Sequence, residues 1–326
     1  SKSVTGASLE LLLSLLTKPS ADENGFSPEQ LSTEIRLTAE DIESEINDKR
    51  SYAMTRMLET MCADEIYGLT KNEILENVKK VTPQSLLAAW KFMLKNGIIQ
   101  LNAIGNISED DCKKKLREAF SDVGERTPYE PETVFVEEAE DLTELTEELT
   151  MNQSKLVLGF RGGMTDENDD FYSRRIMTDV FGGGPYSRLF MNVREKLSLC
   201  YYCSARLIRG KGIIVIQSGI EKENRQKVLD EINRQLDIMK NGEFSDEDFE
   251  ASKKAICDAY RSFNDTPDAL DIYYGTQLTG DIVTPDEAIE NFLAVTRDDV
   301  KKTACALSLD TVYMLAGTDK EDGADE

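Results

Sequence analysis

The chain has 326 residues, 40% hydrophobic and 31% charged, enough apolar material for two domains of ordinary size. Its net charge of −24 disfavours nucleic acid as a partner, because phosphates must be met by lysine and arginine; the surplus reads mainly as a solvated acidic surface that would also suit cationic peptides. Histidine is absent altogether, which excludes Ser-His-Asp and Cys-His catalysis, and any zinc site with a histidine ligand, within this chain.

The first third reads as helical. Leu9, Leu12, Leu13 and Leu16 recur at helical spacing and stop before Pro19. Ser27-Pro28 has the form of an N-cap followed by proline at the first helical position, opening an amphipathic stretch through Leu31, Ile35, Ile42 and Ile46. A further helix is expected over Tyr52 to Met61. Thr82-Pro83 repeats the cap-and-proline signal before Leu86, Leu87 and Trp90. The run Ile98 to Ile104 is a strand candidate ending at Gly105, and Ser108 opens another helix to about Phe120. Residues 127–150 hold nine acids and no lysine or arginine, with Pro128 and Pro131 at the start; this reads as an interdomain linker with a short strand at Val134–Val136.

Beyond it, Lys155–Phe160 is a strand candidate. Phe171–Val180 reads as a helix stopped by Gly182-Gly183-Gly184-Pro185, a tight turn and not a phosphate loop, since neither Lys-Ser/Thr nor G-x-G-x-x-G follows. Ser187 is the expected cap of a helix with Leu189, Val193 and Leu197 on one face. Tyr201–Leu207 and Ile213–Ile220 read as strands joined at Gly210-Lys211-Gly212. A helix follows from about Glu221 to Lys240, and another from Ser245. The cysteines at 62, 112, 200, 203, 257 and 305 are scattered in a chain too large to need disulfide staples, so they read as reduced thiols and the expected location is cytoplasmic. Cys200 and Cys203 lie three apart in a strand, where i and i+3 point to opposite faces, and read as structural.

The two halves match each other. Phe26-Ser27-Pro28-Glu29 pairs with Phe244-Ser245-Asp246-Glu247 at an offset of 218, Asn47-Asp48 with Asn264-Asp265 at 217, and Glu76-Asn77 with Glu290-Asn291 at 214. The strand ending at Gly105 pairs with one ending at Gly317 at an offset of 212. A single, slowly shrinking register implies a duplicated domain. The expected division is 1–126 as the C-terminal part of the first repeat, 127–150 as linker and 151–326 as the second repeat. The opening strands of the first repeat have no counterpart here, so the chain is expected to be a fragment.

Phe181-Gly182-Gly183-Gly184-Pro185-Tyr186-Ser187-Arg188-Leu189-Phe190, followed by Val193-Arg194-Glu195-Lys196-Leu197 and Tyr201, resembles the second-domain signature of the pitrilysin/insulysin/mitochondrial-processing-peptidase family of zinc peptidases, of the bacterial type without histidines. The resemblance implies an α+β fold: a duplicated domain, each copy a mostly antiparallel sheet packed with helices, the first copy incomplete. It implies that the zinc-binding H-x-x-E-H belongs to a missing N-terminal part or to a partner, leaving no catalytic or metal residue in this chain. Glu34 and Asp41 match the family's helical Glu and, seven residues on, its third zinc ligand; the shorter Asp41 departs from the family's Glu and weakens that role. Arg194 and Tyr201 match the Arg/Tyr pair that closes over the substrate, and both can donate hydrogen bonds to a peptide carbonyl. The function implied is the metal-free, substrate-gripping half of a zinc peptidase, or else a non-catalytic structural or peptide-binding homologue in a peptidase pair. The partners implied are a peptide bound by strand addition and a homo- or heterodimeric mate bearing zinc, with no cofactor here, no membrane and no nucleic acid.

Overall fold

A computed structural model describes residues 2–130, 134, 136–163, 170–278 and 282–318. In chain order the elements are α1 (Lys2–Thr17), a hairpin of β1 (Ala21–Asp22) and β2 (Gly25–Phe26), α2 (Pro28–Ser44), α3 (Lys49–Met61), α4 (Lys71–Val78), α5 (Pro83–Asn96) and α6 (Glu109–Ala119). Then come β3 (Thr143–Thr150), β4 (Ser154–Arg161), α7 (Phe171–Gly182), a π-helix (Phe190–Lys196), β5 (Cys200–Ile208), β6 (Ile213–Ile220), α8 (Arg225–Asn241), α9 (Asp246–Ser262), α10 (Pro267–Gly275), α11 (Pro285–Ala294), α12 (Arg297–Cys305) and β7 (Ser308–Thr318). They form two compact units. One holds residues 1–42, 71–132 and 260–285, the other 43–70, 133–259 and 286–326.

The first unit is helical apart from its short hairpin. Its helices start where side chains can satisfy otherwise unpaired amides. Thr82 and Ser85 form a reciprocal capping box at α5, and Ser108 accepts from the Asp111 amide at 3.3 Å at the head of α6. Leu9 and Leu13 of α1 pack with Cys112 of α6, while the Trp90 indole donates to the Leu16 carbonyl at 3.1 Å. The strand expected over Ile98 to Ile104 does not form. A strand needs a ladder partner, and the described part of this unit offers only the hairpin; here Gln100 donates instead to the Tyr274 carbonyl and Asn102 to Asp271, each at 3.0 Å.

The second unit is built on a five-stranded sheet in the order β3-β7-β4-β6-β5, parallel between β3 and β7 and antiparallel elsewhere. Central β4 and β6 are apolar on both faces because both are covered. On one face, Ala53, Met57 and Met61 of α3 pack on Val157, Val215, Tyr313 and Leu315. A Cβ on Gly159 would lie 2.5 and 2.8 Å from the sulfurs of Met61 and Met57, so this glycine lets α3 sit down on β4. On the other, Leu156, Leu158, Ile214, Ile216, Val312 and Met314 are buried; α7 reaches β5, with Gly182 so near Ala205 that a Cβ would lie 2.5 Å from its amide nitrogen.

The last third of the acidic segment is a strand. Along Thr143–Thr150, Leu145, Glu147 and Leu149 are half-buried and alternate with exposed residues, as an edge strand requires. Glu147 fixes it to α3 by accepting from Arg56 at 2.9 and 2.7 Å and from the Tyr52 hydroxyl at 3.0 Å. The strand expected at Val134–Val136 lies partly outside the described residues. A second buried network joins the sheet to the end of α3: Arg161 bonds Asp310 at 2.9 Å, Glu65 at 3.1 Å and the Met61 carbonyl at 2.5 Å, and Lys211 pairs with Glu65.

Candidate functional site

Arg194 and Tyr201 are brought together by an irregular turn. The helix expected through Leu189, Val193 and Leu197 begins as such, then widens into the π-helix Phe190–Lys196, in which the Leu197 amide donates to the Asn192 carbonyl five residues back. The wider winding takes Leu197 off the buried stripe of Leu189 and Val193 and leaves it 44% exposed. Ser187 does not cap this helix; its hydroxyl is buried without a hydrogen-bond partner. Ser198 then has φ +50°, a left-handed conformation unusual for serine, and lets the chain reverse into β5.

At the start of β5 the register with β6 slips. Cys200 faces Ile220 and Tyr202 faces Gly219, so Tyr201 is the extra residue of a β-bulge. The bulge lifts Tyr201 out of the ladder, where it is 58% exposed and donates from its hydroxyl to Glu221 at 2.6 Å. That hydrogen bond, with the carboxylate charge, holds the phenol above its ordinary range, so it stays protonated, with its one proton directed at Glu221. Arg194 lies 4.6 Å over the Phe190 ring and 3.4 Å from Glu195. The two side chains line one open cavity of about 430 Å3 with Glu195, Ser198, Cys200, Glu221 and Asn224. β5 is the sheet's edge strand, so the cavity opens beside unpaired backbone donors and acceptors. Arg194 and Tyr201 can together hold a peptide carbonyl or carboxylate.

The same slip alters the reading of the nearby thiols. Counted as a regular strand, Cys200 and Cys203 point apart. With Tyr201 bulged out, both face the same side, opposite Ile220 and Ser218. Glu221, Phe190 and the Ser198 turn were not singled out from sequence. Glu221 could have been reached by counting the β5–β6 hairpin outward from Gly210-Lys211-Gly212. The other two depend on π-winding, which has no local sequence signal here.

Glu34 and Asp41 are both exposed on α2, seven residues apart and so on nearly one face. Among the described residues no group of three or more Cys, Asp or Glu side chains could hold a metal ion. With no histidine in the chain, these residues do not fit a zinc site. No helix among the described residues is long and apolar enough to cross a membrane.

Known proteins resemble this chain in sequence and in fold. Residues 80–256 match the family described as the peptidase M16 inactive domain. The chain is 30% identical over 315 residues to the probable inactive metalloprotease YmfF of Bacillus subtilis, covering 95% of this chain and 73% of that one. In structure it is similar to a conserved protein from Enterococcus faecalis (TM-score 0.84, 24% identity, 99% of this chain and 76% of that one). It is also similar to a peptidase M16 inactive domain from Pseudomonas fluorescens (TM-score 0.74, 15% identity, 95% and 75%).

Proposed function

On the premise that this chain belongs to the peptidase M16 family, as an inactive homologue of its zinc proteases, we propose that it grips an extended peptide between Arg194 and Tyr201 without cutting it. The observation that carries this reading is their shared open cavity at the head of edge strand β5. The peptide backbone adds to the free edge of β5, Arg194 offers its fork of donors to a carbonyl, and the Tyr201 hydroxyl supplies a neutral donor. Hydrolysis belongs to a homologous subunit that carries the zinc, and the setting is cytoplasmic. None of the six cysteines is disulfide-bonded, which supports that setting.

Fluorescence anisotropy with labelled random-sequence peptides tests the grip. Arg194→Ala is expected to weaken binding by about tenfold, the order of one lost charge-assisted hydrogen bond, and Tyr201→Phe by less. Affinities unchanged in both variants would sink the gripping role and leave a structural subunit, the reading that the absent zinc ligands also favour.

A further inference from the structure

We propose that Cys200 and Cys203 form a redox-active dithiol, which a low-molecular-weight disulfide converts into an intramolecular bond across the bulge at the head of β5.

The geometry makes the pair. The bulge places three residue steps of β5 opposite two of β6, since Cys200 faces Ile220 and Cys203 faces Ser218. Two residues of strand rise span about 6.8 Å, which is at the upper end of the Cα separation a disulfide bridges. A regular strand would set positions three apart at about 10 Å and on opposite faces. The two thiols are close enough to shift each other's titration, and the Ser218 hydroxyl opposite Cys203 donates to the Tyr202 carbonyl at 2.9 Å. Their exposures differ in the useful sense. Cys200 is half-buried and lines the open cavity, while Cys203 is buried behind it. The bond from Cys203, then Ser218 and the positive Arg194, hold the Cys200 thiol below its ordinary range despite burial. Cys203 is pushed well above it, by sharing its proton with Cys200 and by burial. Access to the cavity makes Cys200 the attacking thiol and buried Cys203 the resolving one.

The exchange balances. The Cys200 thiolate attacks one sulfur of a disulfide RSSR, forming Cys200–S–S–R and expelling RS−, which takes up a proton. Cys203 then gives up its proton, and its sulfur displaces the second RS− from Cys200. Two protein thiols are oxidised to one disulfide, and the two electrons leave in two molecules of RSH. The residue trapped in the bulge between the cysteines is Tyr201, so closing the bond moves the hydroxyl used by the gripping site. This consequence, unlike the disulfide itself, rests on the peptide-binding reading.

The experiment treats the reduced chain with hydroxyethyl disulfide at pH 7.5, alkylates what remains and maps the 197–206 tryptic peptide by mass. The expected result is loss of about 2 Da from that peptide, two hydrogens, with neither cysteine alkylated. Cys203→Ser should stop at a stable hydroxyethanethiol adduct on Cys200, and Cys200→Ser should leave Cys203 unreacted. Both cysteines still alkylated while exposed Cys305 carries the adduct would overturn the proposal, and so would an unresolved Cys200 adduct in the wild type. The wild-type mapping decides even where a serine variant folds poorly. Peptide affinity measured on the oxidised chain separates the two claims. Unchanged affinity in a chain still weakened by Arg194→Ala removes the coupling to Tyr201 and keeps the grip. Affinity insensitive to Arg194→Ala removes the grip and leaves the dithiol.

Discussion

Glu65 shows how one residue can carry more structure than its position suggests. It sits just beyond α3 and takes an ion pair from Arg161 at 3.1 Å and another from Lys211, with the side chains about 95% buried. Burial alone would raise its carboxyl, but hydrogen bonds and charges from Lys211 and Arg161 outweigh that and hold it below its ordinary value of 4.5. A depressed carboxyl stabilises the fold above its unfolded pKa and loses that contribution as pH falls through the folded value. Glu65→Gln is therefore expected to cost up to about 3 kcal/mol at pH 7, because two buried cations lose their partner. The gap to wild type should begin to shrink below about pH 4.5, where the unfolded chain takes up the proton, and close as pH falls through the lower folded value. Urea midpoints at pH 7 and pH 3.5 check this. Parallel losses at both pH values would mean that the network acts by packing and not by charge.

Among the elements, α3 and the β5 bulge carry the most consequence. α3 is short and polar on average, and its apolar residues cover one face of the sheet in the second unit. Its start depends on Asp48, whose carboxylate accepts from the amides of Arg50 and Ser51 at 3.0 and 3.2 Å and from the Ser51 hydroxyl at 2.7 Å. These bonds, the Ser51 hydroxyl foremost, hold Asp48 below its ordinary range. Asp48→Ala should cost about 1 kcal/mol, the usual value of a lost N-cap. Amide exchange should then speed up in the first turn of α3 and not in β4. Uniform acceleration throughout the unit would mean that the cap supports global stability instead of local order. The bulge is different, because no residue in Cys200-Tyr201-Tyr202-Cys203 announces it. Alternation predicts that the two cysteines part, and a single extra residue reverses that, since side-chain direction has a period of two.

For the whole molecule, a net charge of −24 on 326 residues implies self-repulsion of the folded state. Raising salt from about 0.05 to 0.5 M shortens the screening length from about 14 to 4 Å, and the melting temperature should rise. A fall would show that specific ion pairs, such as those of Arg161 and Arg56, outweigh the general repulsion. The segment 43–70 sits with the second unit and 260–285 with the first. These segments start 217 residues apart, the offset of the paired Asn-Asp dipeptides.

The family and the α+β class were legible in the residues. Helix starts at Pro28, Pro83 and Glu109 were legible too, because caps, prolines and apolar spacing act over a few residues. The missing histidines exclude a histidine-ligated zinc site from this chain, since a metal site is limited by its donors. Tertiary structure decided what depends on a partner distant in sequence. Ile98 to Ile104 has strand composition but no ladder, whereas acidic Thr143–Thr150 has little strand propensity and pairs with β7 because Arg56 and Tyr52 receive Glu147. The π-turn, the left-handed Ser198 and the slipped register that sets Cys200 beside Cys203 also lay outside what the sequence could say. Each is fixed by how β5 meets β6 and α7, and hydrogen-bond register is a property of two strands at once.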